Sequence, residues 1–192
     1  ALWCTDPVMQ DLSEGMPVLR VLGHYCGVKR ERIVPDGSSL SVPGVDGLTL
    51  RAYALDSKAA PYSPHREAPV PGDNVGMLIT NAANGRSAFY APGLGEITPA
   101  LFDTLCAADA VLVDGTFWTD DEMIGLGLSK KTARSIGHLP QSGAGGMIEW
   151  LDKLPARTRR LRRRAVTWPI SWPTTPASSA SEFRYAMMPR VI

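Results

Sequence analysis

The sequence predicts an α/β layered domain, and three local patterns carry that expectation. Val75 to Thr80 and Ala88 to Ala91 read as strands flanking Asn81-Ala82-Ala83-Asn84-Gly85, where Asn-Gly is a strong hairpin signal. Thr98-Pro99 then reads as a helix start, with Thr as N-cap and Pro at the first helical position. Val111-Leu112-Val113 follows as a short buried strand that ends abruptly in Asp114-Gly115. Strands interleaved with helices give layers of sheet and helix around one core.

The remaining elements follow in chain order. Leu2-Trp3-Cys4 has the composition of a strand. Pro7 to Leu22 mixes apolar and polar residues around Gly15 and Pro17, which predicts a broken helix or two short turns. Leu48, Leu50, Ala52 and Ala54 alternate with other residues, as in a half-buried strand. A stiff loop with Pro61, Pro64, Pro69 and Pro71 comes next, a kind of segment that holds site residues rigidly. In the Thr98-Pro99 helix, Leu101, Leu105 and Ala108 are expected to face inward. Met147, Ile148, Leu151 and Leu154 recur at helical spacing after the flexible run Ser142 to Gly146.

Length and charge narrow the classes. The 192 residues suffice for one domain, and the 44% hydrophobic, 20% charged composition is that of a globular protein. The net charge of +1 hides an asymmetry: residues 155–192 hold eight of the 20 Lys and Arg but one of the 19 acidic residues. The chain therefore divides into a domain over 1–154 and a divergent segment over 155–192, read as disordered or as the product of a frame slip. Basic clusters attract phosphate. Two Trp and two Met in that segment argue against a solvated tail, and no nucleic-acid partner is expected. No apolar run approaches the ~20 residues that span a bilayer, and no signal-peptide pattern opens the chain. Cys4, Cys26 and Cys106 are odd in number and have no metal-finger spacing, which fits free thiols in a reducing cytoplasm.

Three residues are candidates for chemistry. His65 lies in the Pro-rich loop, and His138 lies in Gly137-His138-Leu139-Pro140-Gln141, a segment with loop character. Asp114 stands at the carboxyl end of a strand, where α/β sheets present ligands, although an Asx turn would use it equally well. All three side chains are of types that bind divalent metals, so His65, Asp114 and His138 form the candidate metal set. The run Asp120-Asp121-Glu122 reads as a solvated face, and Gly93-Leu94-Gly95 is too short for a phosphate loop.

Four segments carry a family resemblance: SPHREAPVPGDNVG (63–76), FYAPGLG (89–95), LVDGTFWTDDEM (112–123) and GLSKKTARSIGHLPQSG (127–143). GGMIEWLDKLP (145–155) extends them. Together they resemble the coenzyme PQQ synthesis protein B family over residues 2–155. The resemblance implies the C-terminal portion of a metallo-β-lactamase fold, the four-layer αββα sandwich. It further implies that the family's His-rich metal loop precedes Ala1, and that the chain alone is an inactive fragment. Gly93 falls where many superfamily members have a metal-bridging Asp, which disfavours a two-metal hydrolase.

Two functions follow from the resemblance. One is an iron- or zinc-dependent protein of PQQ biosynthesis, an oxygenase that hydroxylates a tyrosine-derived precursor with a single metal. The other is a carrier moving PQQ or its precursor to the periplasm, with Arg66 and Lys130-Lys131 contributing a basic pocket.

Overall fold

The computed structural model describes residues 1–155 and residue 158. Apart from Pro155 and Thr158, the expectation of a disordered or frame-slipped tail lies outside the described residues. Thr158 itself is buried, and its hydroxyl donates to the Ala108 carbonyl at 3.0 Å.

Five strands form the main sheet: β3 (Asp36–Leu40), β4 (Leu48–Ala54), β5 (Val75–Asn81), β6 (Ser87–Ala91) and β7 (Ala110–Val113), in that spatial order. The first four run antiparallel, and β7 joins β6 in parallel. Strands β1 (Leu2–Cys4) and β2 (Arg30–Arg32) pair in parallel as a separate two-stranded sheet.

The expected hairpin is β5–β6. Its register sets Thr80 opposite Ser87, and the Asn81 amide donates to the Arg86 carbonyl at 2.8 Å. The Asn81 and Asn84 side chains accept from the amides of Ala83 and Arg86, each folding the backbone two residues on. Gly85 takes φ +68°, a left-handed conformation open to glycine. A parallel partner for β6 needs a crossover, and α3 (Pro99–Ala107) supplies it. The Thr98 hydroxyl caps that helix by accepting from the Leu101 amide at 3.3 Å. Leu101, Leu105 and Ala108 are buried, as their spacing predicts.

The core lies between the sheet and two helices. Phe89 and Ala91 of β6 are fully enclosed and pack with Leu101 and Leu105 of α3 and with Met147, which opens α5 (Met147–Asp152). Phe102 and Trp150 join the two helices with rings 5.4 Å apart.

Two expectations need correction. Val111-Leu112-Val113 does form a strand, but Leu112 is 53% exposed. Alternation explains it: Val111 and Val113 face the core and Leu112 the opposite side, at the margin of the described sheet. Ile148 is likewise exposed beside buried Met147, because helix neighbours diverge by about 100°. The expected broken helix is found, as α1 (Asp6–Gln10), a π-helical turn (Asp11–Gly15) and α2 (Val18–Gly23). Strands β2 and β3, and the short α4 (Glu122–Gly125), have no matching expectation.

Candidate functional site

Strand directions gather the candidate loops at one end of the main sheet. Since β5 is antiparallel to β4 and β6, and β7 parallel to β6, four chain positions meet there. They are the exit of β4 (Leu55-Asp56), the entry to β5 (Asp73-Asn74), the exit of β6 (Pro92-Gly93) and the exit of β7 (Asp114). Hydrogen bonds cross-tie these loops. The Leu55 amide donates to Asn74 O at 2.9 Å, and Asn74 Nδ2 donates to Lys58 O at 2.9 Å. Ser57 Oγ donates to Gly137 O, and the Leu139 amide donates to Leu94 O at 2.7 Å, so His138 is held from both sides.

His138 Nδ1 donates to Asp114 Oδ2 in a short contact. The other carboxylate oxygen, Asp114 Oδ1, accepts from the Thr116 amide at 2.9 Å and the Thr116 hydroxyl at 2.6 Å. Thus the Asx turn and the histidine contact coexist on one carboxylate. The Asp114 side chain is 4% exposed. Burial pushes its pKa up, but the hydrogen bonds from His138 and Thr116 outweigh it and hold the group below the ordinary carboxylate value. The imidazole is 31% exposed and lies edge-on to Phe117, with ring centroids 5.5 Å apart. With Nδ1 committed to a carboxylate, Nε2 is the nitrogen available to a ligand or a proton. Asp114 therefore orients His138.

His65 stands with different partners. Its Nε2 contacts Asp73 Oδ1 at 2.8 Å and its Nδ1 faces Asp11 Oδ1 at 3.8 Å. The Asp73 hydrogen bond, the largest influence, raises the imidazole pKa against the opposing effect of burial, and the charges of Asp73 and Asp11 add to the rise. Among the described residues, Asp11, His65 and Asp73 are the group of three metal-ligating side chains whose ligand atoms lie within 4.8 Å of one another. The expected set is thus divided: Asp114 and His138 come together, and His65 joins two aspartates that the sequence reading passed over. Asp73 had a weak signal, a Gly-Asp-Asn turn before a strand; Asp11 had none. Gly93, at the same sheet end, would place a Cβ 3.2 Å from Asn74 Oδ1.

Comparison with known proteins then decides the family. A model of the beta-lactamase superfamily domain matches residues 1–161. The chain is 58% identical over 161 residues to the coenzyme PQQ synthesis protein B of Azoarcus sp. strain BH72, covering 84% of this chain and 53% of that protein. The chain belongs to the coenzyme PQQ synthesis protein B family of the beta-lactamase superfamily. The Methylococcus capsulatus member is 53% identical over 154 residues, covering 80% of this chain and 51% of its own length. The crystal structure of Zn2+-bound PqqB from Methylobacterium extorquens superposes with a TM-score of 0.68 at 26% identity, over 80% of this chain and 50% of that one. The chain spans about half the length of the curated relatives it matches. The partial metallo-β-lactamase fold is therefore shown. No helix among the described residues is long and apolar enough to cross a membrane.

Proposed function

We propose that the whole protein acts in the biosynthesis of pyrroloquinoline quinone as a metal-dependent oxygenase, hydroxylating a tyrosine-derived precursor in the cytoplasm. The observation that supports this reading is the Asp114–His138 pair at the loop end of the sheet, a buried carboxylate backing a partly exposed imidazole. Metal-bound histidines are commonly held in this way, with a carboxylate on the other ring nitrogen. Of the proposed metal residues His65, Asp114 and His138, this reading uses His138 through Nε2, as a ligand or as the carrier of a proton, with Asp114 holding the ring.

The donor chemistry suits iron or zinc, both of which take imidazole nitrogen. Iron is the choice for an oxygenase: when bound, it supplies the redox change and the open positions that dioxygen needs. This chain's contribution is to fix the imidazole, keep Asp114 ionised and shield one side of the ring with Phe117. Gly93 presents no carboxylate to bridge two metals, which supports a single ion.

The carrier reading, with PQQ or its precursor as passenger, draws less support. Arg66, one cation it would use, donates through Nη1 to the Ala59 carbonyl. The deciding experiment loads a full-length relative with Fe(II) without oxygen, then measures iron content and dioxygen uptake with the precursor. Stoichiometric iron and substrate-dependent uptake, lost on replacing the residue equivalent to His138 by Ala, is the expected result. Tight precursor binding without iron or uptake would refute it in favour of the carrier.

A further inference from the structure

The Asp11–His65–Asp73 group has an electrostatic problem of its own. The Asp11 side chain is 4% exposed, and its Oδ1 has no hydrogen-bond partner. Leaving a buried carboxylate oxygen unpaired is costly. That oxygen faces His65 Nδ1 at 3.8 Å, beyond hydrogen-bond range.

Asp73 decides how the ring presents itself. Its side chain is 1% exposed, Oδ2 accepts from the Val70 amide at 2.7 Å, and Oδ1 contacts His65 Nε2 at 2.8 Å. A carboxylate needs a donor, so Nε2 carries a proton. In the neutral ring Nδ1 then presents a lone pair to Asp11 Oδ1. Two lone pairs facing each other in a buried place repel unless a positive charge lies between them. A proton on Nδ1 leaves two carboxylates against one imidazolium, a net charge of −1. A divalent cation with a neutral ring brings the group to zero.

We propose that Asp11 and His65, with Asp73 behind the ring, bind one divalent cation of the zinc class without using Asp114 or His138 as ligands. The distance fits. Zinc sits about 2.0–2.2 Å from nitrogen and carboxylate oxygen, so two ligands 3.8 Å apart can share one ion at a wide angle. An imidazole nitrogen favours zinc or a similar transition ion over magnesium or calcium. Water fills the remaining positions.

The backbone is arranged to bring these segments together. Gly15, closing the π-helical turn that Asp11 opens, would place a Cβ 2.1 Å from the Tyr62 carbonyl oxygen, so a glycine is needed for the His65 loop to approach. On the other side the Thr5 hydroxyl donates to Gly72 O at 2.6 Å, fixing the start of α1 against the residue before Asp73. The ion would thus fasten the N-terminal helical segment to the Pro-rich loop. The proposal stands independently of the oxygenase reading.

The test uses the whole chain, stripped with chelator and titrated with Zn2+ alone. Expected are one equivalent retained after dialysis, a rise in melting temperature, and movement of the His65 Nδ1 signal in long-range 1H–15N spectra. Asp11→Asn should weaken zinc binding by at least 10–100-fold, whereas His24→Gln, at an exposed histidine away from both groups, should retain it. Zinc uptake unchanged by Asp11→Asn and His65→Gln, or abolished by His24→Gln, would overturn the proposal. Should the variants fail to fold, the wild-type spectra decide: an unmoved Nδ1 at saturating zinc overturns it equally.

Discussion

Replacing Gly76 by Ala should destabilise the sheet, although adding a methyl group to a strand glycine ordinarily helps. Gly76 pairs with Tyr53 across β4–β5 and lies diagonally from Phe89, which pairs with Leu78. Tyr53 and Phe89 pack at 5.8 Å between centroids, covering the place where the glycine has no side chain. A Cβ there would meet Phe89 Cζ at 2.6 Å and Cε1 at 2.7 Å, with Leu55 Cδ2 at 3.1 Å. Phe89 is fully buried, so the ring has no solvent to move into. Overpacking costs about 1–3 kcal/mol, while losing glycine's chain freedom returns about 0.5–1 kcal/mol. The net loss is up to about 2.5 kcal/mol, with the close approach to the enclosed Phe89 ring favouring the steric effect. For a loss of about 1 kcal/mol and a urea slope of about 2 kcal/mol/M, the midpoint falls by roughly 0.5 M. Phe89→Leu removes the clashing ring atoms, and in that background Gly76→Ala should be neutral or stabilising. An undiminished midpoint in the single variant, or the same penalty in both backgrounds, would refute the packing argument.

Three other outcomes are expected. Asp114 has a lowered pKa when folded, so it contributes stability above the ordinary carboxylate value that is lost as pH falls through its folded value. Urea midpoints measured from pH 7 to 3 should therefore fall more steeply below about pH 4 in the wild type than in Asp114→Asn; parallel profiles would count against the pairing. Thr98→Ala removes the cap of α3 and should cost about 1 kcal/mol, with Thr98→Ser largely retaining it; equal losses in both would point away from the hydroxyl. Thr5→Val removes the cap of α1 and its bond to Gly72, and should cost about 1–3 kcal/mol. It should also speed amide exchange in residues 6–15, and unchanged exchange there would deny the tether.

What the sequence made legible is what local chemistry specifies. The Asn81–Gly85 turn, the Thr98-Pro99 cap and the inward spacing of Leu101 and Leu105 each depend on a few neighbouring residues, and each is found. Strand β3 was illegible because Asp36-Gly37-Ser38-Ser39 has turn composition. It is a strand through its pairing with β4, with a register shift between Asp36 and Ser39 and Gly37 at φ +81° against the Tyr53 ring. Leu112 departs from expectation for a related reason: a run of three apolar residues says nothing about which faces of a strand are covered.

The candidate site divides along the same line. His65, His138 and Asp114 are legible as metal-ligating types in loops, but their partners are set by strand direction and by contacts between distant segments. Asp11 is 54 positions from His65 and shares no motif with it. Those contacts also give the two histidines opposite electrostatic situations. At His138 a single carboxylate has both oxygens engaged, so the pair is complete and the outer nitrogen is left for chemistry. At His65 two carboxylates surround one ring and one oxygen remains unpaired, so the group is a cation short. A complete pair at the loop end of a sheet suits turnover, where an imidazole must exchange ligands or protons. A buried group lacking positive charge suits permanent occupancy, and its position between the π-helical turn and the Pro-rich loop makes that occupancy structural.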